Sequence, residues 1–427
     1  MRITHLSVGD VSGGAFRAAY RLHEGLRRIG TESSMLVQDR QSQDPNVIPF
    51  TPPVDVPTRL RRVSRRYFLK QSRRLHYSRR TTGASLFSDD RSEHGADVLR
   101  QLPPSDVLNL HWIAGFLDYA DFFHRLPPAL QVVWTLHDMN SFTGGCHYAG
   151  DCRKFCDVCG GCPQLGSSST RDFSTAIWQR KRAAYASFGS NKFSIVTPSR
   201  WLASEARQSD LVGDFSINVI PYGLDTQCFQ PRDRRMAREL LNIPEHAKVL
   251  LFISQYVGSK HKGSFALVEA IARLKKIPDL FLLVLGHGQF PVQSHIPSLS
   301  LGFLKEERLL SLAYSAADLF VLPTFQDNFP NTALESMACG LPAVAFNVGG
   351  VPEIVRDGST GVLVERGDAE VLAGAIENLL SDSDRRQQMA ENCRRIAVEE
   401  FALEVQARRY AELYASLVDG AVKRRGA

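Results

Sequence analysis

No apolar run in the 427-residue sequence approaches the ~20 residues that a membrane-crossing helix needs. The opening Met1-Arg2-Ile3-Thr4-His5-Leu6-Ser7-Val8 runs into Gly9 without the apolar segment of a secretory signal, so the expected place is the cytoplasm. Cysteine is scarce, and five of the eight crowd between Cys146 and Cys162, which is not how a disulfide scaffold distributes them. That crowding favours metal or free thiols in a reducing compartment. No repeat at a solenoid period is visible. With 44% hydrophobic residues, 31 Gly and 21 Pro, the composition is close to the globular average, which excludes collagen-like and largely disordered chains. The length suits two or three domains.

Acidic residues are absent from one stretch. Between Arg59 and Arg80 stand Arg59, Arg61, Arg62, Arg65, Arg66, Lys70, Arg73, Arg74, Arg79 and Arg80 with no Asp or Glu, so taking this +10 from the net +6 leaves −4 for the remainder. The basic character is a local patch, and a local patch implies a partner. Leu60, Val63, Tyr67, Phe68, Leu69, Leu75 and Tyr77 are interleaved with the cations. That mixture suits an anionic membrane surface or a lipid-linked pyrophosphate. Nucleic acid competes as a partner. No recognised nucleic-acid module accompanies the patch, so the membrane is preferred; a solvated loop is the plainer alternative.

Short Val, Ile and Leu-rich runs recur at 132–136, 194–197, 249–253, 280–285, 319–322 and 343–346, each followed by turn formers and helical periodicity. Near-continuous apolar strands alternating with helices indicate parallel sheets covered on both faces. The alternation occurs in both halves, giving an α/β fold with two doubly wound domains. Turn formers and charges from Pro221 to Asp233 mark a boundary. The segment from about Phe401 to Val418 reads as an amphipathic helix, followed by a frayed tail over 421–427.

Ser12-Gly13-Gly14-Ala15 ends the first strand. Glycine there lets backbone amides approach an anion, or simply makes a tight turn, and the spaced G-x-G-x-x-G dinucleotide pattern is lacking. Leu285-Gly286-His287-Gly288 is equally ambiguous. A fuller signal is the strand Leu319-Phe320-Val321-Leu322, the loop 325–331 with Asp327-Asn328-Phe329-Pro330-Asn331, and a helix carrying Thr332 and Glu335. A loop at a helix N-terminus presents amides and a positive dipole end to an anion, and Asp327 and Glu335 would then hold hydroxyls beside bound phosphates.

These residues resemble a known family. Asp327-Asn328-Phe329-Pro330-Asn331, Leu334-Glu335-Ser336-Met337-Ala338-Cys339-Gly340-Leu341-Pro342 and Gly349-Gly350-Val351-Pro352-Glu353 look like the C-terminal signature of retaining GT-B glycosyltransferases of family 4, of the exopolysaccharide type. Pro221-Tyr222-Gly223-Leu224-Asp225, Lys262-Gly263, Thr135-Leu136-His137-Asp138 and Gly13-Gly14 extend the resemblance over most of the chain. It implies two Rossmann-like domains facing a cleft, an acceptor domain over 1–228 with the basic insertion 59–80 and the Cys-rich loop 144–165, a donor domain over 229–400, and a helix over 401–420 crossing back to the first domain.

The resemblance also implies roles. Lys262, with Lys260, and the amides around Asn331 and Thr332 would meet the leaving diphosphate; Glu335 would hold the ribose, Asp327 the donor sugar, and His137 would lie over that sugar. Gly13, Gly14, Gly286 and Gly288 would line the donor, and the loop at Gly302-Phe303-Leu304 would read the base. For His137 the plainer reading is a structural histidine at a strand end. Two positions depart from the family: Asp327 replaces the first Glu of Glu-x7-Glu and is one methylene shorter, and Ser254-Gln255 stands where Gly-Arg is usual. The donor would be a UDP- or GDP-sugar, the acceptor a polysaccharide or lipid-linked saccharide. No catalytic metal is expected, and Asp382-Ser383-Asp384 is a decoy for the metal-binding Asp-x-Asp of another class. A sugar phosphorylase, a nucleotide-sugar epimerase and a non-catalytic nucleotide-sugar or zinc-binding scaffold are the alternatives.

In the cysteine block, Cys159-x2-Cys162 has zinc-type spacing, and Cys146 and Cys152 complete a four-thiolate site. His147 or Cys156 could replace one ligand. Reduced thiols, disulfides and an iron-sulfur cluster are the other readings.

Overall fold

The structure, a computed structural model, describes every residue except 79, 81–85, 187–192, 276, 292–295, 426 and 427, and for 422–425 the backbone alone. The chain forms two units, Met1–Pro221 with Gln406–Ala427, and Tyr222–Val405. The first contains β1 (Arg2–Gly9), α1 (Gly14–Arg28), β2 (Glu32–Asp39), β3 (Val47–Pro49), α2 (Val56–His76), β4 (Val107–Leu110), α3 (Tyr119–His124), β5 (Gln131–Thr135), α4 (Phe173–Tyr185), β6 (Phe193–Thr197), α5 (Arg200–Arg207) and β7 (Ser216–Val219). The second contains α6 (Arg234–Leu240), β8 (Lys248–Tyr256), α7 (Ser264–Ile271), β9 (Leu280–His287), β10 (Ser298–Ser300), α8 (Glu307–Ala316), β11 (Leu319–Leu322), α9 (Asn331–Ala338), β12 (Ala343–Phe346), β13 (Gly361–Val364), α10 (Ala369–Ser381) and α11 (Ser383–Phe401). The last helix is α12 (Leu403–Arg425).

Among the described residues, the first sheet has seven strands in the order β3-β2-β1-β4-β5-β6-β7, and each pair is parallel. Its central strands β1, β4, β5 and β6 are buried on both faces, as their continuous apolar runs require. Ile3, Val107, Val133 and Val196 face Leu22 and Leu26 of α1 and Ala407, Tyr410 and Tyr414 of α12. Leu6, Leu108, Val132, Trp134 and Ile195 face the opposite way, toward Trp178 of α4 and Leu202 of α5. Burying each tyrosine ring is worth roughly 3 kcal/mol, provided that its hydroxyl finds a partner. Both do: Asn109 Nδ2 donates to Tyr414 Oη at 2.7 Å, and Tyr410 Oη lies 3.1 Å from Thr135 Oγ1.

The second sheet, again among the described residues, is six-stranded and parallel in the order β10-β9-β8-β11-β12-β13. Leu250, Phe252, Leu282, Val284, Val321, Val344 and Phe346 join Leu267 of α7 and Leu372 and Ile376 of α10 in its core.

Three boundaries differ from expectation. The units divide at Pro221/Tyr222 rather than near residue 228, because Tyr222 and Phe229 are buried in the second unit, Tyr222 edge-on to Phe329 at 5.6 Å. The last helix begins at Leu403 because the Ala402 backbone is extended, and Leu224 pairs with it on both sides: Leu224 N donates to Phe401 O and Leu403 N to Leu224 O, each at 3.0 Å. It also runs on to Arg425, through residues expected as a frayed tail; Gly426 and Ala427 lie outside the described residues. The basic stretch is not a loop. Asp55 caps it by accepting from Thr58 N, Pro57 sits in its first turn, and it forms the helix α2, while Arg79 lies outside the described residues. Asp382 serves as the N-cap of α11, accepting from Arg385 N at 2.9 Å.

Candidate functional site

In the second unit the strand order reverses beside β8, with β9 and β10 on one side and β11 to β13 on the other. Loops leaving the C-terminal ends of strands at such a switch diverge and leave a crevice where α/β sheets bind ligands. The loop after β8 carries Lys260, His261 and Lys262; the loop after β11 carries 323–330. Sequence-expected residues therefore arrive from both sides of one switch point.

Lys262 Nζ is 2.5 Å from Asp327 Oδ2, with Asp327 buried and Lys262 half-buried. Asp327 is fixed further by its neighbours: its Oδ1 accepts from Asn328 N at 3.0 Å and its carbonyl from Gly350 N at 3.1 Å. Two glycines permit this packing. A Cβ on Gly263 (φ 76°) would stand 1.8 Å from Pro323 O, and one on Gly349 (φ 54°) 2.0 Å from Asp327 O. Lys-Gly and Gly-Gly are thus needed for the β8, β11 and β12 loops to touch. Burial pushes the His261 pKa down and the Lys262 charge adds to this, against the opposing pull of Asp327.

Glu335 is buried on α9, 2% exposed, and its Oε2 shares the one hydroxyl proton of Tyr314 with the Thr332 carbonyl, at 3.0 and 3.1 Å. It is therefore not an ordinary surface helix charge. Asn331 and Thr332 open α9, and Pro330 at the N-cap provides no side-chain acceptor, so the dipole end of the helix is left for other acceptors. Gly286 is the penultimate residue of β9, its amide donating to Gly302 O at 2.8 Å, which binds the 302–304 turn to the strand end, and His287 stacks on Phe303 at 4.5 Å. Gly288 follows with φ 91°, Leu304 is half-buried, and Lys260 is exposed.

In the first unit the reversal lies between β1 and β4. Gly13 (φ 120°) is the N-cap of α1, Gly14 is its first residue, and His111 and His137 follow β4 and β5. His137 is 9% exposed, and burial lowers its pKa to about 4. Its Nε2 lies 3.0 Å from His111 Nδ1. Next to it, Asp138 accepts from Trp112 Nε1 at 2.7 Å and from Asn140 N at 2.8 Å, and its Oδ2 lies 2.6 Å from His147 Nδ1. Burial raises the Asp138 pKa, but His147 and these donors outweigh it and the net shift is downward. The cysteine-rich loop is thus tied to the strand end through His147.

Within that loop, Cys159 and Cys162 are buried and Cys146, Cys152 and Cys156 half-buried, all as free thiols. Burial pushes Cys146 and Cys159 up to about 12, and Cys146, Cys152, Cys159 and Cys162 interact electrostatically with one another. Gly144 N donates to Cys159 Sγ at 3.2 Å. Lys181 is buried beside them and donates to the Asn140 and Thr143 carbonyls, and burial lowers its pKa to about 8. Among the described residues no three His, Cys, Asp or Glu side chains are grouped so as to hold a metal ion. Cys159 and Cys162 belong to different core clusters, and Cys146 packs against both.

Helix α2 uses its cations in two ways. Arg65 donates to Asp118 and to Ser92 O, Arg62 to Pro53 O and Arg66 to Glu93, holding the helix on the unit with Leu69 buried beneath it. The outer face exposes Leu60, Val63, Tyr67, Phe68 and Leu75 among exposed Arg59, Arg61, Lys70 and Arg74. Beside it, a cavity of about 620 Å³ is lined by Arg66, Leu69, Lys70, Arg73, Arg74 and Tyr77 together with Gly115 and the carboxylate of Glu93, which pairs with Arg66. No helix among the described residues is long and apolar enough to cross a membrane.

Residues 233–396 match the family of glycosyl transferases group 1. That span covers most of the second unit and includes Lys262, Asp327 and Glu335. A D-inositol 3-phosphate glycosyltransferase of Corynebacterium aurimucosum is 37% identical over 194 residues, 41% of this chain and 46% of that protein. An N-acetyl-alpha-D-glucosaminyl L-malate synthase of Bacillus anthracis is 30% identical over 198 residues, 45% of this chain and 51% of that protein. The chain thus spans about half the length of the curated relatives it matches. Among solved structures, sucrose-phosphate synthase from Thermosynechococcus elongatus superposes with a TM-score of 0.66 at 20% identity, over 98% of this chain and 100% of that one. Anabaena HepE in complex with UDP does so with a TM-score of 0.64 at 18% identity, over 97% and 100%. The fold is accordingly that of the GT-B glycosyltransferases, two Rossmann-like parallel-sheet units on one chain.

Sequence reasoning gave no role to His5, His111, Trp112 or Tyr314, nor to Asp138 within the Thr135-Leu136-His137-Asp138 motif. Strand alternation carried a usable signal for the histidines: Ile3 and His5, Val107, Asn109 and His111, and Val133, Thr135 and His137 fall on one face at period two.

Proposed function

We propose that the chain is a retaining glycosyltransferase moving a sugar from a UDP- or GDP-sugar to a polysaccharide or lipid-linked saccharide acceptor. The observation that carries this reading is the pairing of Lys262 with Asp327 at the β8/β11 switch point, within the segment matching the group 1 family. Transfer breaks the bond between the anomeric carbon and the diphosphate oxygen and forms one to an acceptor oxygen. Lys262 and the N-terminal amides of α9 offset the charge growing on the diphosphate. Glu335, set by Tyr314, accepts from ribose hydroxyls, and Asp327 accepts from donor-sugar hydroxyls. His137, neutral through burial at the switch point of the first unit, would give a hydrogen bond to a saccharide hydroxyl. Acceptor-dependent release of free UDP or GDP, with the glycosylated acceptor identified by mass spectrometry, tests the reading; saturable donor binding without turnover across a broad acceptor panel overturns it.

The outer face of α2 supports a peripheral place on an anionic membrane, at the inner face of the cytoplasmic membrane, with its apolar side chains in the headgroup region and Arg59, Arg61, Lys70 and Arg74 on lipid phosphates. The basic cavity beside it would receive the anionic end of a lipid-linked acceptor.

A structural zinc on Cys146, Cys152, Cys159 and Cys162 also belongs to the proposal. The support is the donor set: four mutually interacting thiols, one already accepting an amide N–H, beside the buried Lys181 cation that would offset a doubly negative zinc tetrathiolate. Uptake requires the thiols to turn toward one another and lose their protons.

A further inference from the structure

Just past the end of β4, one tryptophan belongs neither to the core nor to open surface. Trp112 is half-buried, whereas Trp134 and Trp178 of the same unit are only 3% and 2% exposed. It stands at the first unit's switch point, where β1 and β4 lie side by side and their following segments diverge, the place where an α/β sheet leaves a crevice for a ligand. Val8 N donates to the Trp112 carbonyl at 3.0 Å, so the ends of the two strands are joined through its backbone.

The indole is locked in place. Its Nε1 donates to Asp138 Oδ2 at 2.7 Å, and Asp138 is itself held by Asn140 N and by His147, whose Nδ1 lies 2.6 Å from the same oxygen. These partners keep Asp138 charged despite its burial, which makes the indole hydrogen bond a charge-assisted one. His147 flanks the indole at 5.2 Å between ring centroids, tilted by 39°. Phe16, from the first turn of α1, meets it in a T-shaped contact at 5.4 Å and 73°. Phe16 is half-buried as well, and the β1–α1 turn is shaped to its ring: a Cβ on Gly9 or Gly13 would crowd Phe16 Cδ2 at 3.1 or 3.2 Å. Trp112, His137, Asp138 and Asn140 also line one hollow of about 20 Å³, room for a single hydroxyl or water molecule.

We propose that Trp112, with Phe16 beside it, is the platform on which a pyranose ring of the acceptor saccharide lies, one hydroxyl of that ring entering the hollow beside Asp138. A pyranose has an apolar C–H face and a polar rim, so it needs a flat apolar surface with a few polar groups at its edge. A ring already fixed by its own hydrogen bond loses little further freedom when the sugar arrives. The charge at the hollow selects the ligand: a diphosphate would be repelled by Asp138, whereas a neutral polyol is not. The Lys262 cation of the second unit has the opposite preference. This deepens the proposed function and rests on it for one point, that the saccharide on Trp112 is the acceptor.

Fluorine NMR of the full chain labelled with 5-fluorotryptophan tests the platform, its four tryptophan signals assigned from single Trp→Phe variants. The probes are the methyl glycosides of glucose, galactose, mannose and N-acetylglucosamine, with sorbitol, which has no ring face, as the control. The expected result is a saturable shift of the Trp112 signal with at least one glycoside and none with sorbitol, the Trp134 and Trp178 signals staying in place. In Trp112→Leu, which keeps apolar bulk without a flat face, affinity for that glycoside should fall about tenfold, the upper end of what one aromatic contact contributes. Saturation transfer from protein to glycoside reads this, and Trp112→Tyr should recover most of the loss while UDP and GDP affinity stays unchanged in both. A Trp112 signal that no glycoside moves, or that sorbitol moves equally, overturns the proposal. So does a folded Trp112→Leu that keeps glycoside affinity or loses nucleotide affinity; if that variant does not fold, the wild-type titration still decides. Failure of the functional reading looks different: a glycoside that saturates Trp112 while no UDP or GDP is released from any donor removes the transferase and leaves the platform.

Discussion

The Lys262 ammonium stands 2.5 Å from the Asp327 carboxylate, so the cation expected to meet a diphosphate already has an anionic partner from the neighbouring loop. A nucleotide must compete with Asp327 for it. Asp327→Asn should therefore leave UDP or GDP affinity equal or stronger while turnover falls at least tenfold, because the amide no longer provides two acceptors for the donor sugar. Lys262→Ala should weaken nucleotide binding by about 1.5–3 kcal/mol, the range for hydrogen bonds to charged groups. Calorimetric titration of both variants checks this; weaker nucleotide binding in Asp327→Asn would contradict competition for Lys262.

Acidification should destabilise the first unit well above the carboxylate range. His5, His23, His111 and His137 are held neutral, chiefly by burial, with His23 and His137 at about 4. Between pH 6.5 and 4 the unfolded chain takes up protons that the folded one does not, so stability is complete above about 6.5 and falls as pH drops, by up to about 1.4 kcal/mol per pH unit for each histidine. Asp90, raised to about 6 by burial, opposes this by protonating in the folded state first, one group against these four and His94, which burial also lowers. Calorimetry should find Tm falling from pH 7.5 to 5, and a flat or rising profile would contradict neutral burial.

Only some of the α2 cations are available to a membrane. Replacing the exposed Arg59, Arg61, Lys70 and Arg74 by Gln should weaken binding to anionic vesicles by roughly 4 kcal/mol, about 1 per residue, without moving Tm. Arg65→Ala should instead lower Tm, since it leaves the buried Asp118 without that partner. Sedimentation with phosphatidylglycerol vesicles separates the two effects, and unchanged binding in the fourfold variant would remove the membrane reading.

Protein purified without chelator should contain about one zinc per chain, and cobalt substitution should give thiolate-to-metal charge-transfer absorption that Cys159→Ser diminishes. Zinc below a tenth of that would leave the cysteines as buried reduced thiols.

The doubly wound architecture was legible because parallel strands buried on both faces leave a local trace, a short apolar run followed by turn formers; the six runs read from the sequence are all strands. The placement of Asp327 and Glu335 about one strand-to-helix turn was legible for the same reason, since the two are close together in the sequence. What escaped depended on register between distant segments. His5 and His111 are 106 residues apart and meet only because β1 and β4 pair in one register. Tyr314 reaches Glu335 from the preceding helix. The basic run showed its charge but not its division of labour, because Asp118 and Glu93, which claim Arg65 and Arg66, lie outside it.

The central claim is that the Lys262–Asp327–Glu335 site binds a nucleotide-sugar donor. Its most direct test is a thermal-shift screen of the whole chain against UDP, GDP, ADP, dTDP and their common sugar conjugates, run beside Glu335→Ala, because a ligand that binds only the folded state raises Tm by mass action. The account predicts a clear upward shift with UDP or GDP and its sugar conjugate, lost or strongly reduced in the variant. No shift with any nucleotide, in protein shown to be folded, would contradict it.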